Sequence, residues 1–166
     1  MKRCITTTAS SLIMILIGIT APLHRSEAQP TGLANRTVFL ERTFAENVDL
    51  GAPGSSVGDL RATSGVVRAT QNGEVIGSYA TSQTTVTTGL DGGNEQRSVM
   101  MEITIGRSDI TMASFYVVPA GGPPALRVVH PIIGGTGRFL GANGSLTLIP
   151  ISATEYRAEL KFVPRR

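Results

Sequence analysis

Residues Ile132 to Gly144 read IIGGTGRFLGANG, and five of these thirteen residues are glycine. The apolar run LRVVHPIIG leads into the stretch and GSLTLIPI leads out of it, both with strand character. Glycine belongs where the backbone needs positive φ or a close approach, and elsewhere it costs conformational entropy. A phosphate-binding loop needs Gly, four residues, then Gly-Lys-Ser or Gly-Lys-Thr entering a helix. Here Gly137 is followed by Arg138 and Phe139, and no helical pattern comes next. A dinucleotide fingerprint needs a strand–turn–helix unit, which is also missing. The stretch therefore reads as a tight strand connection whose glycines let backbones pass close.

The rest of the chain agrees. Alternation and β-branched residues recur, broken by Gly, Pro, Asn and Asp. A first strand is expected from Asn35 to Glu46 and a second from Gly58 to Thr70, bent at Gly65. Asn72-Gly73 signals a two-residue hairpin. A third strand follows from Glu74, then a turn over Gly89–Gln96, a fourth strand Arg97–Ile105 and a fifth Ile110–Val118. PAGGPPA, Pro119 to Ala125, is a rigid loop before the sixth strand, Leu126–Gly134. Gly144–Ile151 and Glu155–Val163 complete eight. Eight short strands joined by hairpin turns predict an all-β fold, an eight-stranded antiparallel up-and-down barrel, with a sandwich as the alternative. On the fourth strand Val99, Met101, Ile103 and Ile105 share one face and Met100 and Thr104 the other. An apolar outer face needs a cover, and a homo-oligomer supplies the simplest one.

The N-terminus carries Lys2 and Arg3, the apolar run LIMILIGITAPL and the small-residue exit Ser26-Glu27-Ala28. That order predicts a cleaved signal peptide over residues 1–28 and one β-barrel domain over 29–166. The apolar run is short against the roughly 20 residues that a membrane span takes. The expected location is secreted or periplasmic, with no transmembrane anchor in the mature chain. The sole cysteine, Cys4, would leave with the leader. No thiolate metal site or disulfide is then available. Removing Lys2, Arg3, Arg25 and Glu27 takes the formal charge from +3 to +1. With scattered charges and no Trp, the chain lacks the basic stripe and stacking platform of a nucleic-acid binder.

GGTGRFLGANG resembles the Gly-Gly-Thr/Ser-Gly-x-Phe-x-Gly-Ala-x-Gly segment of plant allene oxide cyclases. It is similar, less closely, to a Gly-Gly-Thr-Gly-x-Phe segment of dirigent proteins. SSVGDLRATSGVV, from Ser55, resembles the Ser-Leu-Gly-Asp-Leu opening of the cyclase barrel. The resemblance spans roughly residues 36 to 163 and implies a barrel with an apolar cavity, often in an oligomer. It does not carry the plant activity across. Leu40 and Arg42 stand where the cyclases carry Glu and Asn, Gly65 where they carry a second Asn, and Gln83 where they carry Cys. Leu140 replaces an arginine of the dirigent proteins.

If Gln83 points inward on the third strand, Tyr79, Thr81 and Thr85 point inward with it, and if Arg42 does on the first strand, so does Leu40. Met101 lies on the more apolar face of the fourth strand and Tyr116 on the fifth could also enter, so Leu40, Arg42, Tyr79, Gln83, Met101 and Tyr116 are the candidate ligand-binding residues. No catalytic residue is assigned. His130 reads first as packing, and Asp59 as a carboxylate binding backbone amides at a strand start. No Ser–His–Asp set or metal cluster can be assembled, and no cofactor is expected. The expected partner is a small hydrophobic ligand or substrate. Two functions stay open. One is a cyclase or isomerase of the allene oxide cyclase-like or polyketide cyclase-like kind, which works mainly by shape and water exclusion. The other is a non-catalytic binder, lipocalin-like or dirigent-like in use. A barrel filled solid is a third possibility.

Overall fold

The structure, a computed structural model, describes residues 33–122 and 127–164. The expected leader lies outside the described residues, as does part of the Pro119–Ala125 loop. Eight strands follow one another: β1 (Arg36–Val48), β2 (Leu60–Arg68), β3 (Val75–Leu90), β4 (Asn94–Ile105), β5 (Ser108–Pro119), β6 (Val128–Gly135), β7 (Gly144–Pro150) and β8 (Glu155–Phe162). Each pairs antiparallel with the next, and β8 pairs with β1, so the sheet is a closed barrel and not a sandwich.

Closure gives the alternation a physical meaning, because every second side chain must enter one lumen. On β4, Glu95, Arg97, Val99, Met101, Ile103 and Ile105 are all buried, while Met100 and Glu102 between them are exposed. The lower half of the lumen is solid. Leu40, Val67, Ile103, Ile110, Met112, Leu146 and Leu160 form its core. Phe139 closes the bottom and stacks on Phe162, with ring centroids 5.8 Å apart.

The glycine-rich stretch builds that closure. After β6 the chain makes a short 3-10 turn, Gly137–Phe139, that folds Phe139 under the barrel. A Cβ at Gly135 would lie 2.3 Å from the Asp109 carbonyl oxygen and 2.8 Å from Phe139 Cβ, so only glycine admits the fold-back. Thr136 fastens the turn, donating to the Asp109 carboxylate at 2.7 Å and accepting from its backbone N–H at 3.1 Å. The close-approach reading of this stretch holds.

Two local expectations need correction. The hairpin after β2 is not a two-residue turn. Asn72 has a φ of 59° but Gly73 does not share the positive region, and the Ala69 N–H reaches the Glu74 carbonyl across four residues. The turn after β3 is also shorter than Gly89–Gln96. β4 begins at Asn94, so Glu95 and Gln96 are strand residues.

One seam is weak. The β5–β6 ladder holds only Ile110↔Gly135, Thr111↔Gly134 and Met112↔Ile132. It ends beside Pro131, which has no N–H to give a ladder. Outside the barrel, near this seam, Met100, Phe115, Val117, Val129 and Ile133 are all more than half exposed.

Phe139→Ala is expected to destabilise the barrel by about 3–5 kcal/mol, the usual loss for a buried aromatic. Gly135→Ala is expected to destabilise it through the backbone clash. Urea denaturation of both variants checks the pair.

Candidate functional site

Above the solid half the lumen opens. An inner chamber of about 50 Å³ is lined by Leu40, Arg42, Arg61, Thr63, Tyr79, Thr81, Gln83, Val99, Met101, Tyr116, His130, Leu148 and Tyr156. A larger mouth chamber of about 350 Å³ is framed by the ends of β1 to β4 and the loops beside them. Arg61 and Gln83 line both chambers and so mark their junction. All six residues expected from the sequence lie on the inner wall. Gly65 lets the Tyr79 ring lie over β2, since a Cβ there would meet that ring at 2.9 Å.

The polar residues form a network. Gln83 is its hub: Tyr116 donates its hydroxyl to Gln83 Oε1 at 2.7 Å, and Arg97 Nη1 donates to the same oxygen at 3.3 Å. Gln83 Nε2 donates to Thr81 Oγ1, which lies 2.6 Å from Thr63 Oγ1. Arg97 also donates to Glu95 through Nε at 2.5 Å and forms an ion pair with it through Nη2. Glu95 accepts in addition from the Ser55 hydroxyl of the mouth loop. Both members of the pair are almost fully buried, with side chains 1% and 5% exposed. Asp59, at the mouth, accepts from the Leu50 and Ser56 N–H groups and the Ser56 hydroxyl. The Ser56 bonds, then the Leu50 bond, hold its carboxyl below the ordinary range. It is the loop anchor that the sequence indicates.

Glu95, Arg97 and Arg61 were not among the expected site residues. The signal was present for Arg97, which alternates with Val99 and Met101 on the buried face. Arg61 likewise alternates with Thr63, Gly65 and Val67.

At the β5–β6 seam, Ser114 Oγ and His130 Nδ1 are 2.6 Å apart. Tyr116 packs edge-on to the imidazole, with centroids 5.6 Å apart and planes at 84°. Burial pushes His130 down to about 4, so it is neutral at pH 7. Burial pushes Tyr79 up to about 12 and raises Tyr116 and Tyr156 as well. The three phenols are therefore neutral hydrogen-bonding groups. Among the described residues no group of His, Cys, Asp and Glu converges as a metal site.

No family model and no curated protein sequence matches the chain. Solved structures do. A pyocyanin demethylase superposes with a TM-score of 0.66 at 22% identity, over 78% of this chain and all of that one. The barrel is shared. A nonspecific heme-binding cyclase, which catalyses a cycloaddition in neoabyssomicin biosynthesis, gives 0.62 at 14% identity, over 81% of this chain and 66% of that one. A pterocarpan synthase dirigent protein gives 0.53 at 14% identity, over 76% of this chain and 84% of that one. The chain thus has the fold of a group of barrels that includes cyclases and a dirigent protein.

His130 sets a pH dependence. The unfolded chain binds its proton near 6.5 and the folded one only near 4. Stability is therefore complete above about 6.5 and falls as pH drops towards 4, by about 3 kcal/mol. Asp59 and Asp109, both lowered by hydrogen bonds, lose their contribution at lower pH, below the ordinary 3.8. His130→Gln, which keeps a hydrogen-bonding group for Ser114, is expected to flatten the profile between pH 6.5 and 4. Thermal melts across that range measure it.

Proposed function

We propose that this barrel is an exported protein that binds a small hydrophobic molecule in its lumen and promotes a cyclisation or isomerisation of it. The observation that carries the reading is the half-filled lumen, with a solid apolar floor beneath an open chamber walled by Leu40, Val99, Met101 and Leu148. The mouth chamber, about 350 Å³, lies near the lower end of the roughly 300–1,000 Å³ typical of small-molecule sites, and the inner chamber extends it inward by a small pocket of about 50 Å³. Ring closure of a flexible chain needs its ends held together away from water, and a shaped apolar chamber supplies that without a nucleophile. The Tyr79 and Tyr156 hydroxyls and the Arg61 guanidinium are placed to stabilise an oxygen that gains charge on the way. The fold shared with cyclases supports the reading, as does the allene oxide cyclase-like glycine segment.

Native mass spectrometry of the protein as secreted, with extraction of the bound compound, tests it. The expected result is a copurifying apolar molecule, converted on incubation with its linear precursor. A ligand recovered unchanged, with no turnover of cyclisable candidates, would establish the non-catalytic binder instead. Val99→Phe, which fills the inner chamber, is expected to weaken ligand uptake while costing about 1–3 kcal/mol of stability through overpacking.

The exposed face around Phe115 and Val117 supports self-association as part of the same proposal. A permanent apolar face needs a permanent cover, and another copy is the cover every molecule has at hand. Phe115→Glu is expected to shift the wild-type oligomer to monomer in light scattering. A monomeric wild type would remove the oligomer from the proposal.

A further inference from the structure

We infer that the ligand carries an acidic oxygen, a carboxylate or an enolate, and that this oxyanion seats on Arg61 and Arg42 where the two chambers meet. The inference rests on the cavity being a binding site for a small apolar molecule, and it names the chemistry of that molecule's polar end.

The charge distribution around the junction requires it. Three guanidiniums, those of Arg42, Arg61 and Arg97, face the lumen. Arg97 is neutralised by Glu95. Arg42 makes no side-chain hydrogen bond or ion pair with a described residue. Arg61 donates Nη1 to the Gly122 carbonyl at 3.2 Å, but its Nε is fully buried and has no partner among the described residues. Burial, then the neighbouring Arg97 and Arg42, pushes Arg61 below the ordinary guanidinium value. A guanidinium nevertheless stays charged in a protein. Arg61 is half-buried, and a buried N–H of a charged group left without an acceptor is unfavourable. Such a group persists where another molecule completes it.

No described residue supplies the missing anion. Among the described residues the inner chamber has no carboxylate in its wall. Its phenols and imidazole are neutral. Glu41 pairs with Arg68 on the outer face at 2.7 Å. Asp49 and Asp59, at the mouth, are occupied by backbone amides of their own loop. An apolar molecule ending in an oxyanion fits this balance. The oxygen takes the free Nε–H of Arg61, and the apolar body lies in the larger mouth chamber against Val48 and Leu60.

Four probes test it by isothermal titration: 2-naphthoate and its neutral partner 2-naphthamide, and 2-hydroxy-1,4-naphthoquinone, an enolate at neutral pH, with its neutral partner 2-methoxy-1,4-naphthoquinone. At least one anion is expected to bind wild type about tenfold or more tighter than its neutral partner, the factor for one charge-assisted hydrogen bond. The preferred pair tells carboxylate from enolate. Arg61→Gln is expected to erase the preference, weakening the anion far more than its neutral partner. Its unliganded melting temperature should not fall, because a like-charge contact is removed with the guanidinium. Arg42→Gln carries the same test should Arg61→Gln fail to fold. Anions binding no tighter than neutral partners, or a preference that survives both substitutions, would overturn the assignment and leave the cavity reading standing. Failure of all four probes to bind wild type would overturn both.

Discussion

The ladder between β1 and β8, from Arg36↔Leu160 to Glu41↔Glu155, is the contact on which the site depends. Without it the sheet would have two free edges and an inner face open to water. With it, alternation along each strand becomes a choice between lumen and solvent. The same pairing places Leu40 opposite Tyr156, so the floor of the cavity and one of its phenols lie beside the closing seam. The shift of register between Arg42 and Phe44 falls where β1 leaves that ladder. Arg42 thus stands at the last position that closure orients, and the residues beyond it form the mouth.

The lumen changes character along its length for an energetic reason. A barrel of eight strands is narrow enough for side chains to fill it. Aliphatic residues and Phe139 do so at the bottom, where burial carries no polar penalty. Higher up the wall carries charges, and buried charges are tolerated only with partners. Glu95 and Arg97 meet that condition two residues apart on one face of β4, tied to Ser55, Gln83 and the Gly122 carbonyl. The pair also fixes the Gln83 amide, because its oxygen already accepts from Arg97 and Tyr116. Gln83 is therefore a rigid part of the wall.

Much of this was legible in the sequence. β-Branched alternation and turn residues located all eight strands; the family match for Leu40, Arg42 and Gln83, with alternation for Tyr79 and Met101, picked side chains that face the lumen, as Tyr116 does. Less visible were the ends of strands. Leu90-Asp91-Gly92-Gly93-Asn94 reads as a turn by composition, and that reading swallowed Glu95, because an acidic residue beside such a run looks solvated. Its burial is decided by Arg97 and Ser55, one of them on another element. Arg61 was hidden for a related reason. Local pattern reports which face a residue lies on, but whether a guanidinium on that face finds a partner depends on four strands meeting around one axis. Asn72-Gly73 marked a turn and not its type, since the Ala69–Glu74 closure is a longer-range choice.

The division between satisfied and unsatisfied groups separates scaffold from function here. Gln83, Tyr116, Thr81, Thr63, Glu95 and Arg97 bond to one another, and a guest would gain little by competing for them. His130 is similarly committed through Nδ1 to Ser114. Among the described residues, Arg61 Nε, the Arg42 guanidinium and the hydroxyls of Tyr79 and Tyr156 remain free to change partners, all around one small volume. Preorganised donors of this kind do not have to break protein contacts before they act, so their interaction with a developing oxyanion is not offset by reorganisation. Among the described residues, the uncommitted polar groups of this chamber are donors, the guanidiniums of Arg42 and Arg61 foremost. A chamber of donors favours a guest whose oxygen is already, or becomes, negative, and that preference follows from charge and geometry alone.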